Sequence, residues 1–397
     1  MKKSEINSWC QVNSDCEGPT CLNDNAFEVC EHFIPQGDEF FLRISRYDDY
    51  LAEVVKKEGY KPGDTLKLIA PFLRAYDVTN EKLEHFSQKD INLVPGAYDT
   101  FKYIFSKALP FFAVSTSYQQ FAYAVYEKLG MNPELIKERV FCTKLDLDEY
   151  KLGESEKREL QNIREEIINL PVIEIPERED EELSDEAKSA VSRLNKIFWQ
   201  ELQQMECRKM LEEIDPVGGK AKAEVVLKSL EITQKEPANV IYIGDSITDA
   251  EALRFVKESG GLAVSFNGNR YAFPPADIAC IAENTIVTSI LIDCFDKHQK
   301  AGVIELVEDH WKPEGFRRFY IDSSLVEQFE ELLFALDSST QIVRLKSEQM
   351  STRQTTLLSQ AKQLNATVIS DSNREILIKE SEAMRKRIRG LAIGNLG

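Results

Sequence analysis

The sequence predicts an α/β fold, a doubly wound parallel sheet carrying helical insertions and a helical C-terminal extension. Three observations point there. Short apolar runs alternate with amphipathic helical stretches, as in PFFAV and NVIYI, which is the pattern of strands buried on both faces by crossover helices. Pro and Gly punctuate the junctions, at Pro95-Gly96, Gly130 and Pro237. Finally, the apolar runs end in hydroxyl or acidic residues, and in such sheets chemistry gathers beyond the carboxyl ends of the strands.

Taken in order, the first strand is WCQVNS, poorly apolar for a central position, and it leads into Asp15. From Val94, a turn is followed by a helix with Tyr98, Phe101, Ile104 and Phe105 at helical spacing, then by the strand PFFAV and the hydroxyl cluster Ser115-Thr116-Ser117. A helix with Phe121, Ala122, Val125 and Leu129 on one face closes at Gly130. The same grammar returns at Ala221: a helix with Val225, Val226 and Leu230, a break at Pro237, and the strand NVIYI ending in Gly244-Asp245. A helix around Ala250, Leu253 and Val256 and the strands GLAVSF and DIACIA complete the sheet.

The core is therefore expected in residues 1–30, 93–130 and 216–295, interrupted by a helical cap insertion at 31–92 and a second, acidic helical insertion at 131–215. A helical extension covers 296–397. FLRISRYDDYLAEVV is the clearest amphipathic piece of the first insertion. In the second, ESEKRELQNIREEI is rich in helix formers, and the run PEREDEELSDE reads as a solvated face or linker.

With 397 residues and 43% hydrophobic content the chain has material for a sizeable core. Its 67 acidic against 49 basic residues give a net charge of -18, which opposes binding to nucleic acid or an anionic membrane surface. No apolar stretch approaches the length of a membrane span, and MKKSEINSWC has no apolar segment behind its lysines. A cytoplasmic location without membrane insertion is expected. Cys10, Cys16, Cys21 and Cys30 match no paired metal-binding spacing and read as free, partly buried thiols. Gly218-Gly219-Lys220 is no phosphate loop, because Ile214 stands where its first glycine belongs and Ala221 follows the lysine. There is no G-x-S-x-G elbow, and His32, His85, His298 and His310 lack zinc-ligand spacing.

Four short stretches carry the chemistry. SDCEGPT places Asp15 and Glu17 beside one turn, Ser115 lies at a strand end, and GDSITD sets Asp245 and Asp249 four apart on a strand-to-helix turn where both can face a hard cation. Lys222 opens the helix before that strand. One helix, a loop and a strand return it to the same edge of the sheet, a spacing that favours it over Lys220.

In this order the four stretches resemble the haloacid dehalogenase (HAD) superfamily, whose motifs are D-x-D-G, a Ser or Thr, a Lys, and G-D-x-x-x-D. The likeness extends to VPGAYDTF, and the long helical insert is most similar to the phosphoserine phosphatase branch. DCEGPTCLNDNAFE and SRYDDYLAEVVKKEGYKPGDTLKL also resemble an archaeal-type group of HAD hydrolases sometimes described as a subunit encoded with energy-converting hydrogenases. Glu17 departs from the pattern by replacing its second aspartate.

The resemblance implies a HAD-like Rossmannoid core and a Mg2+-dependent phosphatase acting on a small phosphorylated metabolite through an aspartyl-phosphate. Asp15 would be the nucleophile and Glu17 the acid and base. Ser115 and Lys222 would steady the phosphoryl oxygens. The ion would be held by Asp15, the Glu17 carbonyl and Asp245, with Asp249 on the metal or its waters. Losing the Lys222 charge is expected to cost rate more than fold. The cap would select the leaving group, with Arg43, Arg46 and Lys67 as candidate substrate contacts. The alternatives are a phosphotransferase between alcohols and a non-catalytic phospho-ligand-binding or regulatory subunit docked on a protein partner. A dehalogenase would need neither Glu17 nor the metal site.

Overall fold

Seven strands form one sheet in the order β3-β2-β1-β4-β5-β6-β7. They are β1 (Gln11–Ser14), β2 (Phe111–Tyr118), β3 (Val140–Thr143), β4 (Val240–Gly244), β5 (Leu262–Phe266), β6 (Ile278–Ala282) and β7 (Leu364–Val368). All neighbours pair in parallel except β6 and β7, which are antiparallel. Helices flank the sheet, giving the Rossmann-like α/β architecture expected from the alternating pattern. This computed structural model describes residues 8–176, 182–334 and 364–394. Residues 177–181 of the acidic run and the opening MKKSEIN lie outside the described residues.

The polar strand is central. β1 lies between β2 and β4, and Gln11 and Asn13 are wholly buried on one of its faces. They are tolerated because the helix Lys220–Thr233 meets them with hydroxyls. The Gln11 amide donates to Asn13 Oδ1 at 2.9 Å and to Ser229 Oγ at 2.8 Å, the Asn13 amide donates to Ser229 Oγ at 2.9 Å, and Thr233 Oγ1 donates to Gln11 Oε1 at 2.5 Å. A buried polar group with its partners in place avoids the desolvation penalty that would bar it from a core.

Two strands fall outside the expected sheet. β3 lies within the segment read as the second insertion, where a four-residue edge strand leaves too short a signal. β7 belongs to the C-terminal extension, which is helical over Ile286–Asp309, Pro313–Arg318 and Arg374–Gly394 but also adds this edge strand.

Apolar packing is divided by the sheet. One cluster joins Phe101, Phe111 and Tyr126 to Ile290 and Phe295 of the helix Ile286–Asp309, and another buries Val225, Val226, Tyr242 and Leu253 on the opposite face. A third core belongs to both insertions together: Phe40, Phe41, Tyr47, Phe72 and Leu73 from the first pack with Leu160, Ile163, Leu194 and Phe198 from the second. The two insertions thus build a single cap body. All eight cysteines are buried and free.

Candidate metal-binding site

β1 and β4 run side by side with Ser14 opposite Ile243, and the ladder continues one residue further as the Asp15 N–H donates to the Ile243 carbonyl at 2.8 Å. This register brings Asp15 and Asp245 out together at the carboxyl edge. The turn after Asp15 is tight: the Thr20 and Cys21 N–H groups both return to the Cys16 carbonyl. Gly18 sits there at φ +94°, and a Cβ on it would run into the Asp245 carboxylate, so only glycine lets the loop pass so close to that group.

Asp15, Asp245 and Asp249 each offer a carboxylate oxygen, all within 4.8 Å of one another, and all three are buried. Lys222 is wholly buried among them, with Nζ 2.5 Å from Asp15 Oδ2 and 2.8 Å from Asp249 Oδ1. Lys220 is exposed. Asp249 is the most satisfied of the three acids. It accepts from Tyr242 Oη at 2.8 Å and from the Asp245 and Ser246 N–H groups at 3.1 Å each, besides Lys222. Burial works against its ionisation, but the Lys222 charge and these donors hold its carboxyl below the ordinary aspartate value. Burial pushes Asp15 well up, with Asp249 and Asp245 adding to it against the pull of Lys222. Carboxylates that raise one another in a dry pocket are the electrostatic setting that a divalent cation reverses. The residues therefore fit a metal ion by count, donor type and charge, and hard oxygen donors suit Mg2+ among others.

Glu17 turns its carboxylate toward the next helix, where Oε1 accepts the Asn25 N–H at 2.7 Å. Burial raises its carboxyl to about 8, with the neighbouring Asp24 adding to the effect. Ser115 is buried, donates to Ser117 Oγ at 3.1 Å and accepts the Ser117 N–H at 3.2 Å. The hydroxyl-bearing residues of this strand end that line the cavity are Thr116 and Ser117, with Ser115 behind them.

A cavity of about 100 Å³ lies over the cluster, bounded by Asp15, Glu17 and Asp245 below and by the cap above. The cap helix Gly37–Asp49 contributes Phe41, Ser45, Asp48 and Asp49. The three basic residues expected at the substrate lie elsewhere. Arg43 Nε donates to the Leu170 carbonyl at 2.7 Å and its Nη1 pairs with Glu39, Arg46 is 3.5 Å from Asp49, and Lys67 Nζ is 2.5 Å from Asp64. None of them lines the cavity. The cations that do are Arg385 and Arg389, from the C-terminal helix. The available sequence signal was their spacing, four apart and so on one helix face, in the stretch MRKRIRG.

No family model matches this chain, and neither does any curated protein. Among solved structures it is similar to that of gene product AF1437 from Archaeoglobus fulgidus, with a TM-score of 0.72 and 25% identity over 98% of this chain and 99% of that one. The likeness spans the sheet, the insertions and the C-terminal extension alike. Among the described residues no helix is long and apolar enough to cross a membrane.

Proposed function

We propose that this chain is a magnesium-dependent phosphohydrolase of the haloacid dehalogenase type, acting on a small phosphomonoester through an aspartyl-phosphate on Asp15. The observation that carries this reading is the convergence of Asp15, Lys222, Asp245 and Asp249, drawn from three separate stretches of sequence, at one dry strand edge. A nucleophilic carboxylate, a buried cation and two further carboxylates are the parts that phosphoryl transfer requires, since the protein's work there is mainly positioning and charge stabilisation.

Asp15, Asp245 and Asp249, with the Glu17 carbonyl, would hold the ion. When bound, it supplies positive charge that offsets the repulsion between the attacking carboxylate and the phosphoryl oxygens. Asp15 attacks phosphorus, the bond to the leaving oxygen breaks, and Glu17 donates a proton to that oxygen before taking one from the water that cleaves the acyl phosphate. Lys222, already 2.5 Å from Asp15, meets the charge that builds on the equatorial oxygens. The cap shuts out bulk water and chooses the leaving group.

The test is phosphate release from an aryl phosphate and a panel of phosphorylated metabolites, with magnesium and again with excess chelator. Release that needs magnesium is expected. An added alcohol that captures the phosphoryl group in place of water would move the assignment to phosphotransferase. Absence of release across the panel would overturn the enzymatic reading in favour of a regulatory subunit.

A further inference from the structure

Arg385 and Arg389 are almost as deeply buried as Lys222, with side chains 5% and 3% exposed. Both meet one carboxylate oxygen: Arg385 Nη1 pairs with Asp245 Oδ2, and Arg389 Nη1 lies 3.2 Å from the same atom. Their helix is held in place by other means. β7 pairs with β6 from Ile278 to Ala282, Ser381 Oγ donates to the Gly268 carbonyl at 2.7 Å, and Leu377 and Met384 pack with Phe273, Ala279 and Ile281. Burying two guanidinium groups is therefore not required to dock the helix, and buried charge without a purpose is costly.

The two arginines divide the work between them. Arg389 is tied to the loop beyond the nucleophile, with Nε donating to the Leu22 carbonyl at 3.0 Å and Nη2 to the Asn23 carbonyl at 2.5 Å. Arg385 lines the cavity and pairs there with the carboxylate of the metal cluster. Around that cluster, three carboxylates (Asp15, Asp245, Asp249) face three cations (Lys222, Arg385, Arg389). An ion that takes its place on the Asp245 carboxylate would displace the Arg385 guanidinium from it, leaving a buried cation in need of another anionic partner. A phosphoryl dianion supplies that partner, and a guanidinium fork fits its oxygens.

We propose that Arg385 is a phosphoryl-binding residue of this site, passing from Asp245 to the oxygens of a dianionic phosphomonoester as the ion takes its place on the carboxylate. This role rests on the metal-dependent reading of the site. It makes the C-terminal helix part of the active site, and it couples ion and anion: each binds more tightly when the other is present, by the same factor.

The experiment is calorimetric titration of the full chain with orthophosphate in saturating magnesium, and with magnesium alone. Arg385→Gln is expected to weaken orthophosphate by about 10- to 100-fold, the range for a lost charged hydrogen bond, while magnesium binding stays the same or tightens as a competing cation leaves Asp245. Arg385→Lys keeps the charge without the fork, and should lose about three- to tenfold. It carries the test if circular dichroism shows that Arg385→Gln has not folded. Orthophosphate affinity equal to wild type in a folded variant overturns the role of Arg385, and leaves the phosphohydrolase reading intact if magnesium-dependent release persists. Failure of the wild-type chain to bind magnesium or release phosphate overturns both.

Discussion

The cap core and the strand-end cluster are sealed from solvent to the same degree by opposite means. In the cap, Phe40, Phe72 and Phe198 are fully buried, with the Phe72 ring centroid 4.8 Å from that of Phe40 and 6.3 Å from that of Phe198. Such burial stabilises in proportion to the area removed from water. At the strand ends, Lys222 and Asp249 are equally dry, yet their attraction does little more than offset the cost of taking two charges out of water. An apolar group of the same size would give at least as much stability there. The comparison teaches that a buried charge cluster is retained for what it does, whereas the cap core is retained for what it holds together.

The largest expected effect that would sharpen this contrast is on rate. Asp15→Asn removes the nucleophile with little change of shape, so turnover should fall on the order of 10⁴-fold or more while the melting temperature holds. Steady-state kinetics beside a thermal melt gives both, and normal turnover would remove Asp15 from its role. Next comes Lys222→Met, which leaves Asp15 and Asp249 buried without their shared cation and should cost about 3–5 kcal/mol in a denaturant titration. Lys222 is enclosed between two carboxylates, so loss of its charge is expected to cost stability as well as rate. In the cap, Phe198→Leu should cost only about 1–2 kcal/mol with kcat nearly unchanged. A fall in kcat as large as that of Asp15→Asn would break the division of labour.

A further effect is on pH dependence. Burial lifts the Glu28 carboxyl from 4.5 to about 7, even though the Asn23 amide donates to both its oxygens. The native state therefore holds this proton more tightly than the unfolded chain, so its contribution to stability is complete below about 4.5 and is lost as pH rises through about 7. Thermal melts of Glu28→Gln in chelator should lack that part of the decline. An unchanged slope would show that Glu28 ionises in the fold as it does in water.

Much of the sheet was legible because β2, β4, β5 and β6 are apolar runs bounded by helix signals. β1 was legible only through the acidic turn at its carboxyl end, since its Gln11 and Asn13 are paid for across the sheet by Ser229 and Thr233, a partnership at a separation of more than two hundred residues that no local window contains. The acidic members of the site could be found from spacing within single turns. The cationic members from the C-terminal helix could not, because an arginine on a helix reads as solvated until the packing of that helix is known. On the cap helix, Phe41 and Ser45 stand four apart on the face turned to the cavity, and Arg43 and Arg46 fall off that face. Charge alone does not reveal which side of a helix points inward.

The central position of β1 bears on how the chain assembles. Asp15 leaves the ribosome long before its neighbours in the sheet, whose strands begin at Phe111 and Val240, and Arg385 comes later still. Closing loops of that length precedes any reward from strand pairing, which makes such pairings slow. A nascent chain that stops short of β4 holds Asp15 and the cap's aromatic residues, but neither Asp245 nor Asp249. The site is thus a late product of synthesis, finished only when the C-terminal helix closes on a loop translated long before it.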